Sequence, residues 1–452
     1  MDSVNPASGE ILASFPGADQ LAIERALAHA ATAAPVWSMT AFADRAGLLR
    51  SLAANLRRDE GKLARLMTTE MGKPIREARA EIAKCAWGCE YYADRAEHIL
   101  ADEIVATDAA RSLVSYAPLG TVLAIMPWNF PFWQVFRAAA PALMAGNTVL
   151  LKHASNVPQC ALAIDALFRD AGFPPGVFQA LLIDGRQTEK LIADARVHAV
   201  TLTGSEAAGR RVAAVAGAHL KKCVLELGGS DPFVVLADAD LDAAAATAVT
   251  ARFQNAGQSC IAAKRFILIE SIADDFLKRL RPRIEALRVG DPLQADTEMG
   301  PLARADLRES LHRQVIESVS AGARLLLGGD PLPGRGFYYR PTVLDGVRPG
   351  MPAYHEELFG PVVAVLRARD EADALRLAND TRYGLGASVW SRDAARAERF
   401  VRAIHSGLGF VNGMVHSDPR LPFGGVKNSG YGRELGVHGI REFVNVRTVW
   451  IA

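Results

Sequence analysis

Net charge is nearly missing from this chain: 51 lysines and arginines meet 50 aspartates and glutamates in 452 residues, for +1 with histidine neutral. Such a balance provides no field that would gather nucleic acid or an anionic membrane surface, and neither is expected as a partner. Cysteine is sparse as well. The five present (Cys85, Cys89, Cys160, Cys223 and Cys260) are an odd set, and the chain opens on Met1-Asp2-Ser3-Val4-Asn5 without a basic and apolar leader, so a reducing cytoplasm is the expected setting. Clean apolar runs are also wanting: the most apolar stretch, Leu119 to Phe136, carries Gly120, Pro127, Asn129, Pro131 and Gln134, which a bilayer would leave unsatisfied. Cys85 and Cys89 lie four apart with no histidine or second pair beside them, so no metal is expected. The absence of H-E-x-x-H and of G-x-S-x-G removes the two commonest hydrolase signatures.

What is present is apolar surface and alternation. Half of the residues (50%) are apolar, and at about 150 residues per domain the length suggests roughly two to four domains with room for a dry site. From Asp19 to about Ala101 the apolar residues recur at helical spacing, as in Leu48, Leu49, Leu52 and Leu56, with turn signals at Pro35 and Gly72-Lys73-Pro74. Beyond Tyr116, short buried runs alternate with helical segments: Thr121 to Met126, Thr148 to Leu151, Phe178 to Leu182, Ala199 to Leu202, Lys222 to Leu225 and Phe233 to Leu236. The fold class is therefore α/β, a doubly wound parallel sheet with ligand sites at the carboxyl ends of its strands. A second α/β unit begins after about Leu227, with strands at Arg265 to Ile269, Val362 to Leu366 and Gly409 to Val411 and helices at Ile272 to Leu287 and Leu307 to Gly322. Period-two alternation at Ser112 to Tyr116 and at Val444 to Ile451 predicts edge strands in need of a partner.

Several positions could carry chemistry. Cys260, in Gly257-Gln258-Ser259-Cys260, is flanked by small and polar residues and reads either as a nucleophile held at a turn or as a packed core thiol. Glu226 ends an apolar strand and precedes Gly228-Gly229; buried, its carboxyl would rise toward the basicity that activates water, and exposed it would be an ordinary strand-end glutamate. Asn129, between Pro127 and Pro131, is either an uncharged oxyanion donor or a turn asparagine. Thr203-Gly204-Ser205 follows a strand and opens an alanine-rich helix whose free N–H groups suit a pyrophosphate, although the full G-x-G-x-x-G pattern is missing.

Pro127-Trp128-Asn129-Phe130-Pro131, Leu151-Lys152, Thr203-Gly204-Ser205, Glu226-Leu227-Gly228-Gly229, Gly257-Gln258-Ser259-Cys260, Glu357-Leu358-Phe359-Gly360-Pro361 and Pro422-Phe423-Gly424-Gly425 together resemble, in order and spacing, the aldehyde dehydrogenase superfamily. The likeness runs from Asn5-Pro6-Ala7-Ser8-Gly9-Glu10 to the last strand, and within the superfamily it is greatest to the branch that oxidises succinic semialdehyde. The resemblance implies Cys260 as nucleophile, Asn129 with the Cys260 backbone N–H as oxyanion donors and Glu226 as the base for deacylation. It implies Lys152 at the adenosine ribose, Gly204 and Ser205 at the pyrophosphate, Glu357 and Phe359 at the nicotinamide ribose, and Pro127 and Trp128 at the nicotinamide. Ser155 stands where NAD-preferring relatives often carry a glutamate, so nothing there repels a 2′-phosphate and use of both NADP and NAD, leaning to NADP, is expected.

For the substrate, Arg137 matches one of the arginines that hold a distal carboxylate in such relatives, while Gln254 stands where a second is usual. Arg420, with His416 and Ser417, is the expected substitute, and Trp133 and Phe423 the expected walls. Competing readings are a CoA-acylating relative, which the presence of Glu226 disfavours, and a catalytically silent member. The implied architecture is a dinucleotide-binding domain (residues 1–103 and 118–227), a catalytic domain (228–415), oligomerisation strands (104–117 and 444–451) and a return segment to the cofactor domain (416–443). A homodimer or homotetramer follows from that architecture.

Overall fold

The structure, a computed structural model, describes residues 1–452. At the centre of its first large sheet lie strands whose every residue is buried, Thr121–Met126 and Ala199–Thr203. A strand buried on both sides cannot alternate, and helices must cover both of its faces. The order across this sheet is Gly430–Tyr431, Lys222–Glu226, Ala199–Thr203, Thr121–Met126, Thr148–His153 and Phe178–Leu181. The last five are parallel, and Gly430–Tyr431 pairs antiparallel at the edge, placing Gly430 opposite Glu226.

The chain leaves strand Thr121–Met126 toward one edge of the sheet and returns on its other side at Ala199–Thr203. That reversal opens a crevice at the carboxyl ends of the two strands, where the Pro127–Pro131 loop and Gly204 emerge. One face of the sheet packs on helices Phe42–Arg58, Ile75–Ile99, Trp133–Met144 and Pro158–Asp170 through Leu49, Ile82, Phe136 and Phe168. The other face packs Leu123, Ile125 and Leu202 on Ile23 and Leu27 of helix Gln20–Met39 and on Val212 of helix Glu206–Ala218.

Four residues, Leu227 to Ser230, link Glu226 to the next strand, Asp231–Val235, which belongs to a second sheet. Its order is Arg324–Leu327, Thr342–Asp345, Val362–Ala368, Ala263–Ile269, Asp231–Val235, Gly386–Trp390 and Leu408–Val411, all parallel except the first. Helix Leu241–Phe253 and strands Thr342–Asp345 and Gly386–Trp390 extend what the sequence pattern predicts for this unit. A third, antiparallel sheet joins Val444–Ile451 to Arg111–Pro118 and Glu103–Ile104. On its open edge Val446, Trp450 and Ile451 are exposed.

One punctuation signal misleads: Pro35 does not end a helix but lies inside Gln20–Met39. It sits on the solvent side, where a carbonyl deprived of its N–H partner can bond to water, while Trp37 anchors the next turn by donating from Nε1 to the Leu143 carbonyl at 3.1 Å. No helix is long and apolar enough to cross a membrane.

Candidate active site

Cys260 lies at the seam between the two large sheets. After helix Leu241–Phe253 the backbone turns through Asn255 (φ 54°) and Ala256 (φ 53°), left-handed conformations that are rare for residues with a side chain. Hydrogen bonds from three directions hold this turn. The Asn255 N–H donates to Glu77 Oε2 at 2.8 Å, Asn255 Nδ2 donates to the Asn129 carbonyl at 2.8 Å, and Asn129 Nδ2 donates to the Gln258 carbonyl at 3.0 Å. Asn129 and the cysteine loop therefore clasp each other across the seam. Below them the Lys264 ammonium donates to the carbonyls of Ser259 (3.0 Å) and Cys260 (2.8 Å). The thiol itself is free and half-buried, and burial pushes it up to about 12 against the pull of Arg137 and Lys264.

Glu226 is 2% exposed, and neither of its carboxylate oxygens has a hydrogen-bond partner. Burial holds its carboxyl well above the usual carboxylate range, with Glu434 pushing the same way and Arg137 and Arg433 opposing. Of the two readings left open by the sequence, the buried strand-end carboxylate is the one its surroundings describe. The two glycines after it have separate reasons: a Cβ on Gly228 would stand 2.4 Å from Glu357 Oε2, and one on Gly229 would stand 2.6 Å from the Cys260 carbonyl oxygen.

Glu357 reaches the seam from the second sheet, where its Oε1 accepts the Gly229 N–H at 3.0 Å and lies 3.5 Å from Lys264 Nζ. Two residues on, the Phe359 ring meets Trp128 edge to face with centroids 5.8 Å apart, so aromatic groups from both sheets wall the crevice that follows Pro127. The buried Arg252 guanidinium holds this segment in place through the Leu358 carbonyl (2.8 Å) and the Gly360 carbonyl. On the neighbouring strand Lys152 is half-buried with no hydrogen-bond or ion-pair partner, and burial lowers its ammonium despite Asp184 nearby. Ser155 is exposed in the turn that follows. Ser205 caps helix Glu206–Ala218 by accepting the Ala208 N–H at 3.3 Å, and the Gly204 N–H donates to the Glu226 carbonyl at 2.9 Å. Buried His153 links this strand to the Asn129 loop through the Pro131 carbonyl (2.8 Å).

A cavity of about 220 Å³ opens above the thiol. Trp133, Arg137, Gln254, His416, Ser417 and Phe423, the residues that the resemblance implies for the substrate, line it together with Cys260. Arg420 does not. Its guanidinium is turned to the surface, where it grips Asp418 at 2.9 and 2.7 Å and lies 5.5 Å from the Trp87 ring centroid, because the carboxylate two residues before it is the nearer partner. Arg137 is buried and paired with Glu434, donates to Thr203 Oγ1 at 3.2 Å, and covers the Phe423 ring at 4.5 Å. These contacts describe a structural ion pair and not the free carboxylate anchor expected from the resemblance. Glu77, Glu81 and Lys84 also line the cavity, on one face of helix Ile75–Ile99. Their spacing of about one charged residue per turn puts them on one side of the helix, but on the sequence alone it reads only as an amphipathic face.

The chain is 52% identical over 450 residues to a probable succinate-semialdehyde dehydrogenase [NADP(+)] of Synechocystis, covering 100% of this chain and 99% of that one. It is 51% identical over 455 residues to succinate-semialdehyde dehydrogenase [NADP(+)] 1 of Mycobacterium tuberculosis, with the same coverage of 100% and 99%. The crystal structure of succinic semialdehyde dehydrogenase from Streptococcus pyogenes in complex with NADP+ superposes with a TM-score of 0.98 at 36% identity, covering 100% and 99% of the two chains. With a thiol at the seam of two doubly wound sheets and the model of the aldehyde dehydrogenase family matching residues 1–449, this chain belongs to the aldehyde dehydrogenase family.

Proposed function

We propose that this chain oxidises succinic semialdehyde to succinate, with NADP preferred over NAD, through a covalent adduct on Cys260. The observation that carries the reading is the meeting of three groups at one seam: a free thiol on the cavity floor, Asn129 clasped to its loop, and the buried Glu226 carboxyl left without a partner.

In this mechanism the Cys260 thiol releases its proton to solvent and the thiolate sulfur attacks the aldehyde carbon, while the Asn129 side chain with the Cys260 backbone N–H holds the oxygen that takes up the carbonyl electron pair. Pro127, Trp128, Glu357 and Phe359 would hold in the crevice a nicotinamide, which would supply a hydride acceptor. Glu226 then takes a proton from water as the water oxygen adds to the thioester carbon, and the C–S bond breaks to return the thiolate. An unpartnered base at this point favours water over CoA as acyl acceptor.

The residues fit a dinucleotide on structural grounds. The Lys152 ammonium lacks any protein partner, the Ser155 hydroxyl is free at the same strand end, and the Gly228 backbone makes room for Glu357. Lys152 and Ser155 would hold the adenosine ribose and its 2′-phosphate, the start of helix Glu206–Ala218 the pyrophosphate, and Glu357 the nicotinamide ribose. The exposed apolar residues on strand Val444–Ile451 support assembly with copies of this chain, and five free cysteines support a reducing compartment such as the cytoplasm.

Steady-state rates with succinic semialdehyde and butanal, each with NADP and NAD, test the reading. We expect kcat/KM to favour succinic semialdehyde and NADP, Cys260→Ala to abolish NADPH formation, and Glu226→Gln to keep a rapid burst while slowing turnover by about 100-fold. Equal kcat/KM for the two aldehydes overturns the substrate assignment. Normal turnover by Cys260→Ala overturns the mechanism.

A further inference from the structure

The cavity above Cys260 holds more charge than its chemistry uses, and nearly all of it is neutralised by the protein itself. Glu81 pairs with Lys73 and accepts the backbone N–H groups of Phe132 and Trp133 at 2.9 Å each. Arg137 pairs with Glu434. Glu77 is turned to the Asn255 N–H, and burial raises its carboxyl to about 7. Lys84 differs from all of these. No carboxylate lies within 4.0 Å of its ammonium, which donates only to the carbonyl (2.6 Å) and hydroxyl (2.7 Å) oxygens of Ser417 and lies 4.7 Å from the Trp133 ring centroid.

Ser417 completes the pattern. Its Oγ accepts from Lys84 Nζ and also from Trp133 Nε1 at 3.1 Å. With both lone pairs filled, the hydroxyl hydrogen must point to a third atom, and the protein offers it none. An ammonium has three donors, of which Ser417 takes two. One N–H and one O–H are thus left over at the same end of the cavity, with one uncompensated positive charge between them. A partly buried cation without a counter-ion is costly, and burial beside Arg137 brings this one down to about 8. Glu81, Cys85 and Asp418 only partly offset that shift.

We propose that Lys84 and Ser417 form the anchor for the carboxylate at the far end of the aldehyde, fixing its length and charge relative to Cys260. The inference rests on the succinic semialdehyde reading and assigns that carboxylate to residues other than Arg137 and Arg420. Arg137 lines the cavity with its charge spent on Glu434, and supplies background potential rather than the contact.

Three variants test the anchor: Lys84→Met, which keeps the stem over Trp133 and removes the charge, Lys84→Arg, and Ser417→Ala. For Lys84→Met the ratio of kcat/KM for succinic semialdehyde to that for butanal should fall roughly fiftyfold, mostly through KM, with partial recovery in Lys84→Arg and a loss of about fivefold in Ser417→Ala. Calorimetric titration of succinate into the cofactor-free protein gives a second readout that needs no turnover, and Lys84→Met should weaken that binding by about tenfold or more. A wild-type enzyme that prefers succinic semialdehyde and keeps the preference in Lys84→Met, with succinate bound equally by both, overturns the anchor alone. A wild-type enzyme with no preference overturns the substrate reading and the anchor with it.

Discussion

On the wall formed by helix Trp133–Met144, Arg137 is locked to Glu434 with Thr203 beside it, whereas on the wall formed by helix Ile75–Ile99, Lys84 meets only the neutral oxygens of Ser417. Both are cations lining one cavity, and an inventory of charges would treat them alike. What separates them is compensation. A charge already neutralised in the folded protein has little left for a ligand, and removing it leaves its partner stranded. One left uncompensated weakens the fold and has its full interaction to offer.

Stability measurements can break this comparison directly. Arg137→Met strands the buried Glu434 carboxylate and should cost about 3–5 kcal/mol, seen as a large drop in the denaturant midpoint. Lys84→Met should not lower it, because the ammonium is already held below its ordinary 10.5 and its loss removes a cost at neutral pH. Equal destabilisation by both substitutions would mean that Lys84 is compensated as Arg137 is.

The same contrast extends to the cofactor crevice, where Lys152 is the cation without a partner. Ser155→Glu would give it one and repel a phosphate, so the NADP to NAD ratio of kcat/KM should move toward NAD by about 100-fold, or roughly 2.7 kcal/mol. A smaller change would place the 2′-phosphate elsewhere.

The smallest effect sharpens the comparison for an acid. Folded Glu226 keeps its proton above the ordinary value of 4.5, where the unfolded chain has released it. Unfolding therefore gains ground as pH rises from that point, so Glu226 makes a contribution that lowers stability as pH rises above about 4.5. Glu226→Gln removes that part of the slope and should be more stable at pH 8 by about 1 kcal/mol, measured by chemical denaturation between pH 5 and 8. A steeper slope in the variant would mean that the carboxylate is compensated after all.

How far the sequence speaks follows from the same physics. Strand Thr121–Met126 can be read to the residue, because a parallel strand buried on both faces is a continuous apolar run between turns. Gly386–Trp390 and Thr342–Asp345 escape the pattern because they are short and carry small or polar residues that are recognisable as core only once their neighbours are in place. Cys260, Asn129 and Glu226 stand out through local chemistry, glycine and proline around polar groups. Lys84 does not, since its surroundings come from Trp133 and from Ser417, distant in the chain, and the helix around it reads simply as amphipathic. Arg420 misleads for the complementary reason: position in a loop is visible, but the grip of Asp418 on its guanidinium is a matter of geometry.

The paired glycines at 228 and 229 touch opposite halves of the machinery, one against Glu357 and the other against the carbonyl of the reactive cysteine. A single methyl group at either would act as a wedge, prying the redox compartment from the bond-making one without altering any reactive atom. Libraries built to widen the range of accepted aldehydes therefore have reason to randomise the far walls and leave this dipeptide untouched.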